Sequence, residues 1–366
     1  MKIIQVTPYY PPHFGGMEQR IKELCQNLSK KGYNVEVLTS CIGYKACVEN
    51  DKNLKIHYLR TIEFAQVPFI PALFFSLMRI PKDSIMHVHI AQAFVPEMVM
   101  LVSKLRGIPY VAHVRIDIQP SSFFGFLIPV YKRLVLSKVL KNSKEIIVLT
   151  NDYKDIISRK YGLDKQKIIV IPNATNFKIF KRKSYDFHNP IRLLYVGRLA
   201  VQKNIFSLLT ALSNIVKYKS NVELHIVGKG EMKNGIETFV KNKSLQKNVI
   251  LHGELHGMAL INKYRTSDIF LLPSFTEVFS TTLLEAMANG LPIIASKIPG
   301  TTEILGKGKY GLLVDPDAKN IEKGIIRLIR NKKYARKLSY SGYERIKKFQ
   351  ISENLRSFEQ LYGRIK

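Results

Sequence analysis

Two glutamates separated by seven residues, Glu277 and Glu285, have the types and spacing to do chemistry in this chain of 366 residues. Glu285 falls inside an apolar run in which Leu284, Met287 and Ala288 recur at helical spacing, one turn after Thr281, whereas Glu277 lies on the preceding loop. Unpaired N–H groups at a helix start attract an anion. Carboxylates repel phosphate but accept hydrogen bonds from hydroxyls. A phosphate at the helix start with a carboxylate on each side therefore suits sugar hydroxyls flanking a diphosphate. Arg198 and Lys203 follow the apolar run 192–196 at a strand-to-helix turn. Two fixed cations there could neutralise a diphosphate leaving group without a metal. His113 ends another apolar run, 110–114, with Arg115 and Asp117 just after it.

The elements that must position these residues are legible as runs and stops. Residues 269–272, bounded by Pro273 and Ser274, read as a buried parallel strand. Ser280, Thr281 and Thr282 offer capping hydroxyls for a helix that Gly290 and Pro292 end, and residues 291–295 start a further strand. The loop thus lies at the carboxyl end of a strand, where open α/β sheets bind ligands. The amino terminus repeats the pattern: strand 2–6, loop 7–16, a helix with Ile21, Leu24, Cys25 and Leu28 on one face, then strand 35–38. Gly15 and Gly16 allow close backbone approach to an anion, but the third glycine of a dinucleotide fingerprint is lacking. Further strands are expected at 85–90, 145–149, 168–171 and 222–227, and helices at 321–329, 334–349 and 353–365. His87 and His89 share a face by period two, with no acidic or cysteine partner at ligand spacing, so no metal and no cofactor is expected. The runs 228–231 and 306–308 look like phosphate loops, yet Lys233 and the Gly after Lys307 break the motifs, and both read as turns.

Glu277, the seven residues to Glu285, Ala-Met-Ala-Asn-Gly-Leu-Pro-Ile-Ile-Ala-Ser after it, Pro-Gly-Thr-Thr-Glu at 299–303 and Gly-Leu-Leu-Val-Asp-Pro at 311–316 form one block. It closely resembles the donor-site block of the family-4 retaining glycosyltransferases of the GT-B fold, and the resemblance extends from near residue 3 to about residue 316. The resemblance implies an α/β chain of two doubly wound Rossmann-like parallel-sheet domains facing a central cleft. These would be an acceptor domain at 1–177, with a carboxy-terminal helix at about 350–366 packing back on it, a linker at 178–190 and a donor domain at 191–349. It further implies a metal-independent, retaining hexosyl transfer from a nucleotide diphosphate-sugar, a UDP-sugar being favoured over GDP-mannose, to a hydroxyl acceptor. In that scheme Gly15 and Gly16 face the donor phosphates with Glu18 behind, and Gly228 lies near the nucleobase. Arg198 and Lys203, in the family's spacing, take the leaving phosphate together with the backbone around Phe279, Ser280, Thr281 and Thr282. Glu285 holds the ribose diol, Glu277 holds donor-sugar hydroxyls, and His113 sits at the reacting face, with Arg115 and Asp117 on the acceptor side. The family has glycines where this chain has Val278 and Ser280, and an Asp or Gly directly after the histidine where it has Val114. The loop path, and with it the sugar accepted, therefore does not transfer from any relative.

Composition narrows the partners. A hydrophobic content of 46% is that of a globular chain, and 366 residues suffice for two cores. Three cysteines without metal spacing suit a reducing cytosol, and prolines 8, 11 and 12 leave no room for a signal peptide. A net charge of +29 asks for a polyanion, yet no nucleic-acid motif accompanies it. Two apolar stretches interleaved with basic residues, 67–82 and 121–144, suit an anionic membrane interface. The expectation is a cytoplasmic enzyme, peripheral on the inner face of the membrane, acting in cell-surface polysaccharide or glycolipid synthesis. A soluble small-molecule acceptor and an inactive scaffold with the same fold are the alternatives.

Overall fold

The computed structural model describes residues 1–13, 15–64, 67–115, 128–174, 180 and 186–365. The chain divides into two compact units, Met1–Asn173 with Ser352–Lys366, and Ala174–Ile351.

In the first unit an eight-stranded sheet is built from β1 (Lys2–Val6), β2 (Asn34–Ser40), β3 (Cys47–Asp51), β4 (Leu54–Leu59), β7 (Ser84–Ile90), β8 (Tyr110–Val114), β9 (Glu145–Val148) and β10 (Ile168–Val170). β5 (Ile62–Phe64) and β6 (Val67–Phe69) pair antiparallel in a separate two-stranded sheet. The order across the sheet is β10-β9-β8-β7-β1-β2-β4-β3, and every pairing is parallel except that of β3 with β4. Parallel strands covered on both faces must be apolar throughout, and all five residues of β8 are buried. β7 is buried along its whole length although it carries His87 and His89, so those imidazoles need internal partners. The helix Ile351–Ile365 supplies one for His87 through the buried Tyr362, whereas His89 is held by Gln5 and Arg115.

The second unit has a six-stranded parallel sheet of β11 (Ile191–Val196), β12 (Val222–Val227), β13 (Val249–Leu251), β14 (Ile269–Leu272), β15 (Ile293–Ser296) and β16 (Leu312–Val314), in the order β13-β12-β11-β14-β15-β16. Alternate residues of one strand feed two cores. Leu193 and Tyr195 join the layer under the helices Ile205–Val216 and Ala318–Arg330. Leu194 and Val196 join the layer under the helix Thr281–Ala288. Asp268, fully buried before β14, accepts hydrogen bonds from the backbone N–H of His188 (3.1 Å) and of Arg192 (2.8 Å) and lies 2.8 Å from His188 Nδ1. That carboxylate fixes the end of the 178–190 segment to the sheet. In each unit the strand order reverses beside the first strand, between β7 and β1 and between β14 and β11. Ligands of doubly wound sheets bind at such points, outside the carboxyl ends of the strands.

Candidate active site

Arg198, Lys203 and Glu277 all lie on the loops that leave the β11 and β14 carboxyl ends, at the switch point of the second sheet. From β11 the chain passes Gly197 and Arg198 to a single 3-10 turn, Val201–Lys203, and then enters the helix Ile205–Val216. Arg198 is exposed, and its carbonyl accepts from the Tyr195 hydroxyl at 3.0 Å, which holds the turn. Asn204, at φ 54°, donates from Nδ2 to the carbonyls of Pro273 (3.0 Å) and Pro316 (2.7 Å). This one side chain ties together the loops after β11, β14 and β16. Nothing in its sequence context marks it.

Lys203 Nζ stands 2.5 Å from Glu277 Oε1, and Ser274 Oγ donates to the same oxygen at 2.8 Å. Side-chain exposures of 21% and 9% put this ion pair largely out of water. The two residues were expected to serve different parts of a ligand; the structure pairs them with each other. Gly300 explains part of the loop path. A Cβ there would lie 2.3 Å from the Glu277 carbonyl oxygen and 2.6 Å from that of Val278, so the helix Pro299–Ile304 packs directly on the backbone of the Glu277 loop. Gly228, at φ +142°, is pressed against the Gly197 carbonyl in the same way. Ser280 caps the helix Thr281–Ala288, its Oγ accepting from Leu283 N–H at 3.4 Å and lying 3.0 Å from Thr282 Oγ1. Phe279 meets Phe349 edge-on at 5.9 Å. Glu285 is buried and accepts from the Tyr264 hydroxyl at 2.8 Å. Tyr264 comes from the helix Gly257–Arg265, and its role was not visible in the sequence.

The first unit arranges its candidates differently. Glu18 is buried in the first turn of the helix Gly16–Lys30, and its carboxylate fills the space where a Gly15 Cβ would stand, 2.0 Å from Oε2. His13 Nδ1 lies 3.2 Å from Glu18 Oε1. A phosphate approaching Gly15 and Gly16 would meet this carboxylate first. Arg115, expected on an acceptor side, is buried and turned inward, donating from Nε to His89 Nδ1 at 3.0 Å and from a terminal nitrogen to Asn173 Oδ1 at 2.9 Å. Asp117 lies outside the described residues.

His113 is buried at the end of β8. Sheet register sets His89 opposite His113 and His87 opposite Gln5, so three imidazoles meet on one face. Their ring nitrogens come within 4.8 Å of one another. Spacing along the chain could not reveal this grouping, since its members come from two strands. Two of the inward nitrogens are already engaged, His89 Nδ1 by the Arg115 guanidinium and His113 Nδ1 by His87 Nε2 at 3.1 Å. A metal ion would have to displace a cation to enter. Burial, reinforced by the Arg115 charge, holds the pKa of all three imidazoles well below the ordinary histidine value. Because the folded values are depressed, the stability they contribute is fully present above the unfolded pKa of about 6.5 and is lost as the pH falls below it. The expected slope is up to about 1.4 kcal/mol per pH unit for each imidazole. Scanning calorimetry between pH 7.5 and 5.5 should show the first unit's transition nearly constant down to about pH 6.5 and falling below it. A midpoint constant down to pH 5.5 would mean that the imidazoles take up protons in the folded chain as readily as in the unfolded one.

The family model described as Glycosyltransferase Family 4 matches residues 14–178, and that described as Glycosyl transferases group 1 matches residues 176–345. The chain is 25% identical over 342 residues to a phosphatidylinositol N-acetylglucosaminyltransferase subunit of Arabidopsis thaliana, covering 90% of this chain and 74% of that protein. It is 27% identical over 342 residues to an uncharacterized glycosyltransferase of Methanocaldococcus jannaschii, covering 86% of this chain and 85% of that protein. The solved structure of Anabaena HepE in complex with UDP is similar in fold, with a TM-score of 0.79 at 14% identity over 99% of this chain and 100% of that one. Two Rossmann-like parallel-sheet units, the donor-block motifs and both family matches agree: the chain belongs to the group 1/family 4 glycosyltransferases of the GT-B fold.

Proposed function

We propose that this glycosyltransferase moves a hexose from a nucleotide diphosphate-sugar, with UDP as the nucleotide, to a hydroxyl acceptor with retention at the anomeric carbon. The observation that carries the reading is the grouping of Arg198, Lys203 and Glu277 at the switch point of the second sheet. Lys203 and Arg198 neutralise the charge that develops on the departing diphosphate, aided by backbone N–H groups at the start of the helix Thr281–Ala288. Glu277 accepts from hydroxyls of the donor sugar and fixes its pose, and Glu285 accepts from the ribose diol. The bond from the anomeric carbon to the phosphate oxygen breaks as the bond to the acceptor oxygen forms on the same face. The acceptor's proton passes to the departing phosphate. UDP is favoured because HepE, which shares the fold, was solved with UDP.

An acceptor presented at an anionic membrane is favoured over a soluble one by a surface of the first unit. Phe75, Leu105, Val130 and Leu134 are each more than half exposed on the helices Ala72–Met78, Val95–Arg106 and Ile128–Tyr131 and the π-helical turn Lys132–Leu136. Arg79, Lys82, Lys104 and Arg133 stand beside them in the chain. The Val95–Arg106 helix packs against both the Ala72–Met78 helix and the π-helical turn, so the apolar side chains come from adjoining elements. Among the described residues no helix is long and apolar enough to cross a membrane. Residues 121–127 of the second basic-apolar stretch lie outside the described residues.

The test is calorimetric titration of the purified chain with UDP, GDP, ADP and their hexose conjugates, followed by flotation of the same sample with vesicles of anionic or neutral lipid. Micromolar affinity for UDP and its conjugates, with flotation on anionic vesicles alone, is expected. Binding to none of the nucleotides would favour the inactive scaffold instead. With two protein cations on the diphosphate, transfer is expected to persist in chelator. Strong inhibition relieved by a divalent ion would overturn the metal-free scheme.

A further inference from the structure

The hydrogen bonds around His113 have a direction, and each donor fixes the next. Arg115 can only donate, so His89 Nδ1 is an acceptor and the His89 proton is on Nε2. That proton goes to Gln5 Oε1 at 2.8 Å, which sets the orientation of the Gln5 amide. Gln5 Nε2 in turn donates to the Tyr362 hydroxyl oxygen at 3.2 Å. Tyr362 has one proton, and His87 Nδ1, 2.7 Å away, is there to accept it. His87 therefore carries its own proton on Nε2 and donates to His113 Nδ1 at 3.1 Å. The last proton is then on His113 Nε2, which is buried with no hydrogen-bond partner among the described residues. Reversing the last two bonds would strand the Tyr362 proton in a fully buried place, which disfavours that polarity by about tenfold or more.

We infer that Arg115, His89, Gln5, Tyr362 and His87 form a one-way relay that locks His113 in its Nε2–H tautomer, so that it presents one fixed donor to an oxygen of a bound ligand. The relay itself stands on the geometry alone. That this ligand takes part in sugar transfer rests on the proposed function. His113 is then a neutral hydrogen-bond donor and has no free lone pair with which to act as a base. Tyr362, on the terminal helix, is a positioning residue, as are Gln5, His87, His89 and Arg115. Burial and the Arg115 charge, which hold all three imidazoles neutral, agree with this assignment. An unpaired buried donor is costly, and the free Nε2–H is that kind of group unless a ligand accepts from it.

The test uses the full chain labelled with 15N-histidine. Long-range proton–nitrogen correlation separates protonated from unprotonated ring nitrogens, and His113→Gln identifies the His113 signals by their loss. The expected wild-type result is a single tautomer at His113 with the proton on Nε2, and protons on Nε2 of His87 and His89. A proton on His113 Nδ1, or averaging between the tautomers, would overturn the relay. Tyr362→Phe keeps the ring that stacks on Phe358 at 6.1 Å but removes the hydroxyl. His113 should then populate both tautomers, with kcat falling about twofold for an even mixture and nucleotide affinity unchanged. A His113 that stays in one tautomer in this variant also overturns the proposal. A chain that shows the expected tautomers but binds no nucleotide-sugar would leave the relay standing and remove the proposed function.

Discussion

Glu277→Ala is expected to reduce sugar transfer by about 10²- to 10³-fold while nucleoside diphosphate affinity holds or rises. The direction of the second effect comes from the ion pair. Glu277 Oε1 is 2.5 Å from Lys203 Nζ, so the carboxylate competes with an incoming phosphate for that cation. Removing it frees Lys203 for the phosphate, whereas the hydroxyls of the sugar lose their acceptor. Titration with UDP beside steady-state kinetics separates the two effects. Equal loss of binding and turnover would sink the role assigned to Glu277, because it would mean that the residue serves only to hold the loop.

Lys203→Ala should differ from Glu277→Ala in binding. UDP affinity falls by about 10- to 100-fold with the loss of a charge-assisted contact, and turnover falls by about 10²- to 10³-fold because the leaving diphosphate keeps only Arg198. Glu277 then keeps its hydrogen bond from the Ser274 hydroxyl, in a place only 9% exposed. Since the two side chains share one contact, the double variant should fall short of the product of the single effects. Undiminished UDP affinity in Lys203→Ala would show that the phosphate is held elsewhere.

Much of the fold was legible because parallel strands buried on both faces write themselves as apolar runs. Lys2–Val6, Tyr110–Val114, Val222–Val227 and Ile269–Leu272 appear in the structure at the bounds the runs gave. The strand expected at 291–295 begins two residues later, at Ile293, since Gly290 (φ 67°) and Pro292 belong to the turn. β3, β4, β13 and β16 went unread because none of them is a long apolar run. β3 is nearly all exposed, β4 is broken by Lys55 and His57, and β13 and β16 have only three residues each. The positions of the candidate residues on their loops followed from the same runs. Their partners did not. Lys203 and Glu277 are 74 residues apart, Tyr264 and Glu285 come from different helices, and Tyr362 reaches His87 from 275 residues away. Such pairings are set by strand order and register, which no local spacing records. The inward turn of Arg115 is a case in point: a charged residue just past a strand reads as a surface group until the histidines that accept from it are known.

The borders of the two sheets carry a consequence for how the protein behaves in company. Each sheet ends in strands of three to five residues: β10 and β3 in the first unit, β13 and β16 in the second. A long, flat border would offer unpaired amides and carbonyls to any neighbouring molecule, the usual route to ribbon-like aggregates. Here three of the four borders give a stranger only three residues to pair with, and the fourth, β3, displays Glu49 and Asp51 in an otherwise basic chain. Brevity and charge together make the sheets poor templates for one another, so concentrated solutions of the protein should stay free of strand-to-strand association.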